Sequence, residues 1–146
     1  MLPAKAKAQS SSHRYRVLLV DDDAAVLRSM AVTLEHDLDV AVCSSAERAL
    51  ALLEKSDFHV VCSDYAMAGM SGLELLRRVS KMALPTGCLL VTGSTAFAGR
   101  DAEGAAEHYV LMKPVEPARL SAMVLQLART AEMKRNAKPV LGVAQK

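Results

Sequence analysis

The sequence lacks the features that would assign the chain to a membrane, to secretion or to a disulfide scaffold. No run of about eighteen or more apolar residues is present, and residues 1–12 lack the apolar core of a secretion signal. The three cysteines, Cys43, Cys62 and Cys88, include no close pair. Each lies in or beside an apolar segment, which favours buried free thiols over disulfides or metal ligands. These absences predict a soluble, cytoplasmic protein.

The charge is also unevenly distributed. The chain of 146 residues has a net charge of +2, and its basic residues are concentrated at the two ends around an acidic middle. An acidic body argues against a nucleic-acid-binding face on the core, because neutralising phosphates requires clustered Lys and Arg. We predict a flexible basic lead-in (residues 1–13), one folded domain (14–133) and a flexible basic tail (134–146). No nucleic acid or membrane is expected as a partner.

Apolar runs of strand character alternate five times with segments of helical periodicity. Strands are predicted at 16–20, 38–43, 58–63, 88–91 and 109–112. Helices are predicted after each strand, the fourth of them (96–106) short or irregular because it contains two glycines. The last begins at Pro117 and ends near Arg135. Such alternation predicts an α/β fold with a five-stranded, doubly wound parallel sheet of strand order 2-1-3-4-5.

Four of the predicted strands run into polar residues that carry a carboxylate, a hydroxyl or an ammonium group. The first strand runs into Asp21-Asp22-Asp23, the third into Asp64, the fourth into Thr92 and the fifth into Lys113. The carboxyl ends of parallel strands meet at one edge of a sheet, so these groups should converge. Crowded carboxylates repel one another unless a cation joins them, and oxygen ligands with open positions suit Mg²⁺.

Asp64 is the only acid at its strand end, which makes it the best candidate for a carboxylate nucleophile that attacks phosphorus. Thr92 could donate a hydrogen bond to one phosphoryl oxygen, Lys113 could pair with another, and Gly93 would let its backbone N–H approach closely. Each motif alone is ordinary: an acidic triplet usually caps a helix, and a single Asp often lies in a turn. Their conjunction in one pattern favours a phosphoryl site.

The chain resembles a response-regulator receiver domain of two-component signalling, within the CheY-like superfamily. The resemblance covers roughly Tyr15 to Arg129 and depends on four motifs in the family's order: Val17 to Asp23, Val61 to Asp64 with Gly69 to Gly72 downstream, Val91-Thr92-Gly93, and Lys113-Pro114. It implies a flavodoxin-like (βα)5 fold and a signalling role. The chain would then be a phosphoprotein that catalyses only its own phosphoryl transfer and dephosphorylation, and not a metabolic enzyme.

The resemblance also implies roles for individual residues. Asp64 would be the phosphoacceptor and a ligand of Mg²⁺, Asp22 would bind the ion directly, and Asp21 would bind it largely through water. The backbone carbonyl of Ala66 would be a further ligand. Thr92 would be the switch hydroxyl and Lys113 the cation that pairs with phosphate, with a cis Lys113-Pro114 peptide. The backbone groups expected to contact the phosphoryl group belong to Tyr65, Ala66 and Gly93.

A receiver implies partners on both sides of the signal. The four histidines lie in unrelated parts of the sequence, and no catalytic role is assigned to any of them. The phosphohistidine is therefore expected on a partner, either a histidine kinase or a His-phosphotransfer protein. Output would pass through protein contacts of the face made by the fourth helix, the fifth strand and the fifth helix. The downstream protein is unknown, and a phosphorylation-dependent homodimer is one candidate. About a dozen residues follow the last helix, which suits either a stand-alone receiver or a fragment of a larger regulator or hybrid kinase.

The sequence departs from the family pattern in three places. Ala68 replaces the usual proline in the loop after the phosphoacceptor, and the segment from Thr92 to Lys113 is about one residue short. Three residues before the lysine, where relatives place an aromatic that turns inward, the chain has Val110, with Tyr109 one position earlier and facing the other way. Which of the two occupies the switch position stays open.

Two alternatives are compatible with these residues. A receiver fold that binds partners without phosphate would explain the missing aromatic and the shortened fourth helix. A haloacid-dehalogenase-like phosphatase could use Asp21, Asp23, Thr92 and Lys113 as its first three motifs. That family also needs an acidic pair on a strand after its lysine, and here the later glutamates fall on the predicted last helix.

Overall fold

The computed structural model describes residues 14–93 and 109–144, the last seven of these by their backbone alone. Five parallel strands form one sheet of order β2-β1-β3-β4-β5, so the predicted doubly wound architecture is confirmed. β1 pairs with both β2 and β3, so the chain extends the sheet to one side of β1 with β2 and to the other side with β3 to β5. The strands are β1 (Arg16–Val20), β2 (Asp39–Cys43), β3 (Val60–Asp64), β4 (Gly87–Thr92) and β5 (Tyr109–Met112).

Four helices are described, and three begin at side-chain caps that the local sequence provides. Asp23 accepts hydrogen bonds from the backbone N–H groups of Ala25 and Val26, as predicted, and Ser45 and Ser71 cap the next two helices. The predicted helix at 96–106 lies outside the described residues. The helices are α1 (Ala24–Leu34), α2 (Ala46–Lys55), α3 (Gly72–Ser80) and α4 (Pro117–Ala144).

The sheet separates two apolar clusters because successive strand residues point to opposite faces. Val17 and Leu19 of β1 pack with α1 and α4, whereas Leu18 and Val20 pack with α2 and α3. Burial on both faces is typical of a parallel sheet and explains why its strands have continuous apolar runs. The strand ends that form the site described below are therefore fixed by helices packed on both faces of the sheet.

The cysteines belong to these clusters and form no disulfides. Cys62 and Cys88 are buried, and their burial raises the pKa of each thiol to about 12. Cys43 is half-buried at the end of β2. The predicted buried free thiols are thus confirmed for two of the three, and Cys43 differs because it lies on an edge strand.

The last helix is longer than predicted. We expected it to end near Arg135, but α4 continues to Ala144 through Pro139. Inside a helix, proline lacks an N–H donor and its ring crowds the carbonyl four residues before it, so the sequence predicted a helix end before this residue. Arg135 also anchors the helix, because its guanidinium donates to the backbone oxygens of Pro85 and Phe58. Whether residues 134–146 behave as a separate tail stays a prediction.

A second contact joins α4 to the edge of the sheet opposite the strand C-termini. His59 lies just before β3, and its Nδ1 accepts a hydrogen bond of 3.1 Å from the backbone N–H of Arg16. Its Nε2 lies 3.0 Å from Glu132 Oε1 of α4. The ring of Tyr15 packs edge-on against it. Because Nδ1 accepts, the neutral ring carries its proton on Nε2. This N–H donates a hydrogen bond to the Glu132 carboxylate.

We expect His59 to make the stability of the protein depend on pH. Burial lowers the pKa of His59, although Glu132 opposes the shift. A base with a lowered pKa stabilises the fold above its unfolded pKa of about 6.5, and that contribution is lost as the pH falls below this value. His59→Gln should therefore lose less unfolding free energy than the unaltered protein between about pH 7.5 and about pH 5.5.

Urea unfolding at the two pH values measures this difference. His36→Gln is the matched control, because His36 is exposed at the end of α1 and should leave the pH dependence unchanged. Equal pH dependence in His59→Gln and the unaltered protein would contradict the prediction.

Candidate functional site

The site lies where β1, β3 and β5 end. Asp21 follows β1 directly, Asp64 is the last residue of β3, and Lys113 follows β5. The Lys113 ammonium lies 3.0 Å from Asp21 Oδ2 and 3.2 Å from Asp64 Oδ1. The strand order makes this possible, because β1 and β3 are neighbours and only β4 separates β3 from β5. Three residues up to 92 positions apart in sequence therefore meet at one point.

Asp22 joins this group to form an acidic cluster. One carboxylate oxygen each from Asp21, Asp22 and Asp64 lies within 4.8 Å of the others. Asp21 is only 3% exposed, and its two oxygens accept hydrogen bonds from the Asp23 backbone N–H and from Lys113. Asp22 is exposed. The cluster thus has one buried, fully engaged carboxylate and one that faces solvent.

The electrostatics of the cluster leave room for a further cation. Burial raises the pKa of Asp64, and the charge of Asp21 adds to this effect, while Lys113 and a hydrogen bond from the Tyr65 backbone oppose it. Burial alone would lower the pKa of Lys113, but its bonds to Asp21 and then Asp64 outweigh burial and raise it. The cluster of three carboxylates thus contains one ammonium, which bonds two of them. An oxygen-only donor set with excess negative charge fits Mg²⁺.

Thr92 and Gly93 approach the same site from β4. Thr92 is fully buried, and its backbone oxygen accepts a 3.0 Å hydrogen bond from the Lys113 N–H, which joins the ends of β4 and β5. A Cβ on Gly93 would lie 3.2 Å from the Cβ of Lys113. The glycine therefore leaves space for the stem of the lysine. The roles predicted for Thr92 and Gly93 toward phosphate stay predictions.

Gly72 is a site residue that the sequence did not single out. A Cβ at this position would lie 1.9 Å from the backbone oxygen of Asp64, and its N–H donates to the Tyr65 oxygen at 3.0 Å. The start of α3 thus lies directly against the backbone of the proposed phosphoacceptor. Two glycines in the loop were visible in the sequence, but neither indicated which one makes this close approach.

In the structure, too, no aromatic side chain occupies the inward position on β5 three residues before the lysine. Val110 is half-buried and packs against the cluster formed with α2 and α3, whereas Tyr109 is 51% exposed. The Lys113-Pro114 peptide is cis, as the resemblance implied. In the described structure the tyrosine therefore points away from the core, and Val110 fills the inward position.

The phosphatase alternative has no support at this site. Glu132, one of the two glutamates that follow the lysine, pairs with His59 at the opposite edge of the sheet. Glu116 directly precedes α4, and its backbone oxygen accepts hydrogen bonds from the first turn of that helix, so it does not lie on a strand. The acidic pair that such a phosphatase requires is therefore not formed by the described residues.

The fold and the site define a receiver-type signalling module, and comparison with known proteins identifies the family. The sequence profile of the response regulator receiver domain matches residues 17–125. This span covers more than half of the chain and includes all the acidic residues of the cluster and Lys113. The chain belongs to the response-regulator receiver family. Receiver domains of this family bind Mg²⁺ at an acidic pocket and act as signalling modules rather than metabolic enzymes.

Particular relatives agree with this assignment. The chain is 37% identical over 112 residues to the Two-component response regulator ARR14 of Arabidopsis thaliana, covering 72% of this chain and 28% of that protein. It is 33% identical over 119 residues to the Transcriptional regulatory protein FixJ of Bradyrhizobium diazoefficiens, covering 80% of this chain and 58% of that protein. The chain thus spans less than two thirds of the length of either relative.

A solved structure supports the same fold. The CheY-like response regulator receiver domain protein from Methanospirillum hungatei superimposes with a TM-score of 0.77 at 27% identity, covering 84% of this chain and 99% of that one. Among the residues described, no helix combines the length and the apolar character needed to cross a bilayer.

Proposed function

We propose that the chain is a phosphorylation-dependent switch in which Asp64 accepts a phosphoryl group. The donor would be a phosphohistidine on a histidine kinase or a His-phosphotransfer protein. A carboxylate oxygen of Asp64 forms the new O–P bond while the P–N bond to histidine breaks, and the imidazole leaves with the electron pair. The observation that carries the proposal is the Lys113 ammonium bridging Asp21 and Asp64, with Asp22 beside them.

The chain's own residues supply positioning and charge neutralisation for this transfer. Lys113 is within reach of Asp64 and would follow the phosphoryl oxygens once they replace a carboxylate oxygen as its partner. The Thr92 hydroxyl would hydrogen-bond another phosphoryl oxygen. The backbone N–H groups proposed to contact the phosphoryl group are those of Tyr65, Ala66 and Gly93.

Mg²⁺ would supply the positive charge that the three carboxylates and the incoming phosphoryl oxygens require. Asp22 and Asp64 would bind it directly, and Asp21 largely through water. The exposure of Asp22 and the engagement of both Asp21 oxygens by other donors support this division. The backbone carbonyl of Ala66 would complete the protein ligands.

A cytoplasmic location stays a prediction from the sequence.

Output would pass through β5, α4 and the helix predicted at 96–106. Met112 of β5 is 57% exposed and Tyr109 is 51% exposed, so this edge of the sheet presents apolar surface to a partner or to a second copy of the chain. Val110 in the inward position argues against an aromatic rotamer as the readout. The same observation favours a second candidate, a receiver fold that binds its partner without phosphate, whose partner affinity would be unchanged by beryllofluoride.

The proposal is tested by titrating the protein with beryllofluoride, a phosphoryl mimic, in the presence and absence of Mg²⁺. We expect saturable binding that requires Mg²⁺ and weakens at least about tenfold in Asp22→Asn, because that change replaces a charged carboxylate ligand on the open side of the cluster with a neutral amide. Calorimetry or NMR titration measures both affinities.

Asp37→Asn is the matched control for this titration. It removes the same charge from an exposed position near the end of α1, outside the acidic cluster. Its affinity should match that of the unaltered protein. Failure of the folded, unaltered protein to bind beryllofluoride with Mg²⁺ would contradict the proposed function.

A further inference from the structure

The loop between β3 and α3 is held at its tip by a side chain from another helix. Glu47, in the first turn of α2, accepts a 3.1 Å hydrogen bond from the backbone N–H of Met70 through Oε2. Gly69 has a φ of +82°, and a Cβ there would lie 3.0 Å from the same carboxylate oxygen. The loop backbone therefore lies directly against the Glu47 carboxylate.

This contact matters because the loop contains the proposed carbonyl ligand Ala66. The loop departs from β3 at Asp64 and returns at Gly72, whose N–H donates to the Tyr65 oxygen. Ala68 stands where a proline would restrict the backbone, so that means of stiffening the loop is absent. The Glu47 contact is a restraint of another kind, applied across space from α2.

Glu47 is itself well placed to act as a fixed support. It follows Ala46, which is completely buried, and the Ser45 hydroxyl caps the same helix by accepting from the Arg48 N–H. A carboxylate in the first turn of a helix is stabilised by the helix dipole. The side chain is exposed, but it extends from the first turn of a capped helix, and its acceptor oxygen meets a backbone donor of the loop.

We propose that Glu47 is a positioning residue that fixes the β3–α3 loop so that the Ala66 carbonyl can serve the metal site. The inference rests on the proposed function, because it assumes that Mg²⁺ binds at the acidic cluster. The proposed effect of Glu47 depends on its carboxylate oxygen as a hydrogen-bond acceptor. Its negative charge is not required, and this distinguishes positioning from a general electrostatic attraction of the cation.

Three variants separate these effects. Glu47→Ala removes the acceptor and should weaken Mg²⁺ binding about fivefold, the effect of losing one net hydrogen bond. Glu47→Gln keeps an acceptor oxygen without the charge and should stay within about twofold of the unaltered protein. Glu54→Ala removes an exposed charge from the same helix and should have no effect.

Two measurements are made on the full chain. Mg²⁺ affinity is measured by titration, and hydrogen exchange at the Met70 amide is measured without Mg²⁺, where Glu47→Ala should exchange about fivefold faster than Glu47→Gln. Equal Mg²⁺ affinities of Glu47→Ala and Glu47→Gln would overturn the inference. So would an affinity of Glu47→Ala equal to that of the unaltered protein.

Failure of this inference is distinguishable from failure of the proposed function. If the unaltered, folded protein does not bind Mg²⁺, both the function and the inference are overturned. If it binds Mg²⁺ and only the Glu47 variants behave contrary to expectation, the inference alone is overturned.

Discussion

Asp64→Ala is expected to reduce phosphoryl uptake from acetyl phosphate in the presence of Mg²⁺ by at least about a hundredfold, because alanine offers no oxygen to attack phosphorus. The fold should persist. Burial raises the pKa of Asp64, and its charge lies beside that of Asp21, so removing it relieves repulsion. Intact mass spectrometry detects the added phosphoryl group, and circular dichroism verifies the fold.

Asp57→Ala is the matched control for this experiment. Asp57 is exposed and precedes β3 at the opposite edge of the sheet, where its backbone oxygen accepts a bond from Arg16. The control should take up one phosphoryl group as the unaltered protein does. Undiminished uptake by Asp64→Ala would show that another residue is the acceptor.

The second large effect concerns stability. Gly72→Ala should lower the free energy of unfolding by about 3 kcal/mol, the upper part of the range for inserting an atom into a packed region. A Cβ at residue 72 would lie 1.9 Å from the Asp64 backbone oxygen, so β3 and α3 must separate. The better helix propensity of alanine would raise the free energy of unfolding by at most about 1 kcal/mol. The clash is the larger effect, so the net change is a loss of stability.

Gly93→Ala provides the comparison for Gly72→Ala. Its Cβ would meet the Cβ of Lys113 at 3.2 Å, a contact that needs only a shift of the backbone at one of these two residues by a few tenths of an ångström, whereas the Gly72 clash is far deeper. Urea unfolding should therefore show a clearly smaller loss for Gly93→Ala. A Gly72→Ala protein as stable as the unaltered one would contradict the close approach described at this residue.

The architecture was predictable from the sequence because its signals are local. Continuous apolar runs indicated buried parallel strands, and the Asp23 side chain at the start of α1 indicated a cap. The convergence of Asp21, Asp64 and Lys113 followed from the same reasoning, since strand C-termini share one edge once the strand order is chosen.

Features set by contacts between distant segments were not predictable in this way. The guanidinium of Arg135 in α4 bonds to backbone oxygens 50 and 77 residues away, and no local pattern in the sequence indicates these contacts. The contact of Glu47 with Met70 joins residues 23 positions apart, and no periodic pattern records it. The close approach of Gly72 is likewise a distance between backbones. Such contacts appear only when elements are packed.

Lys113 connects the acidic cluster to the ends of two strands. Lys113 is tied at one end to Asp21 and Asp64 through its ammonium, and at the other to the Thr92 carbonyl through its backbone N–H. A change of partner at the ammonium would therefore act on the same residue whose backbone links the ends of β4 and β5.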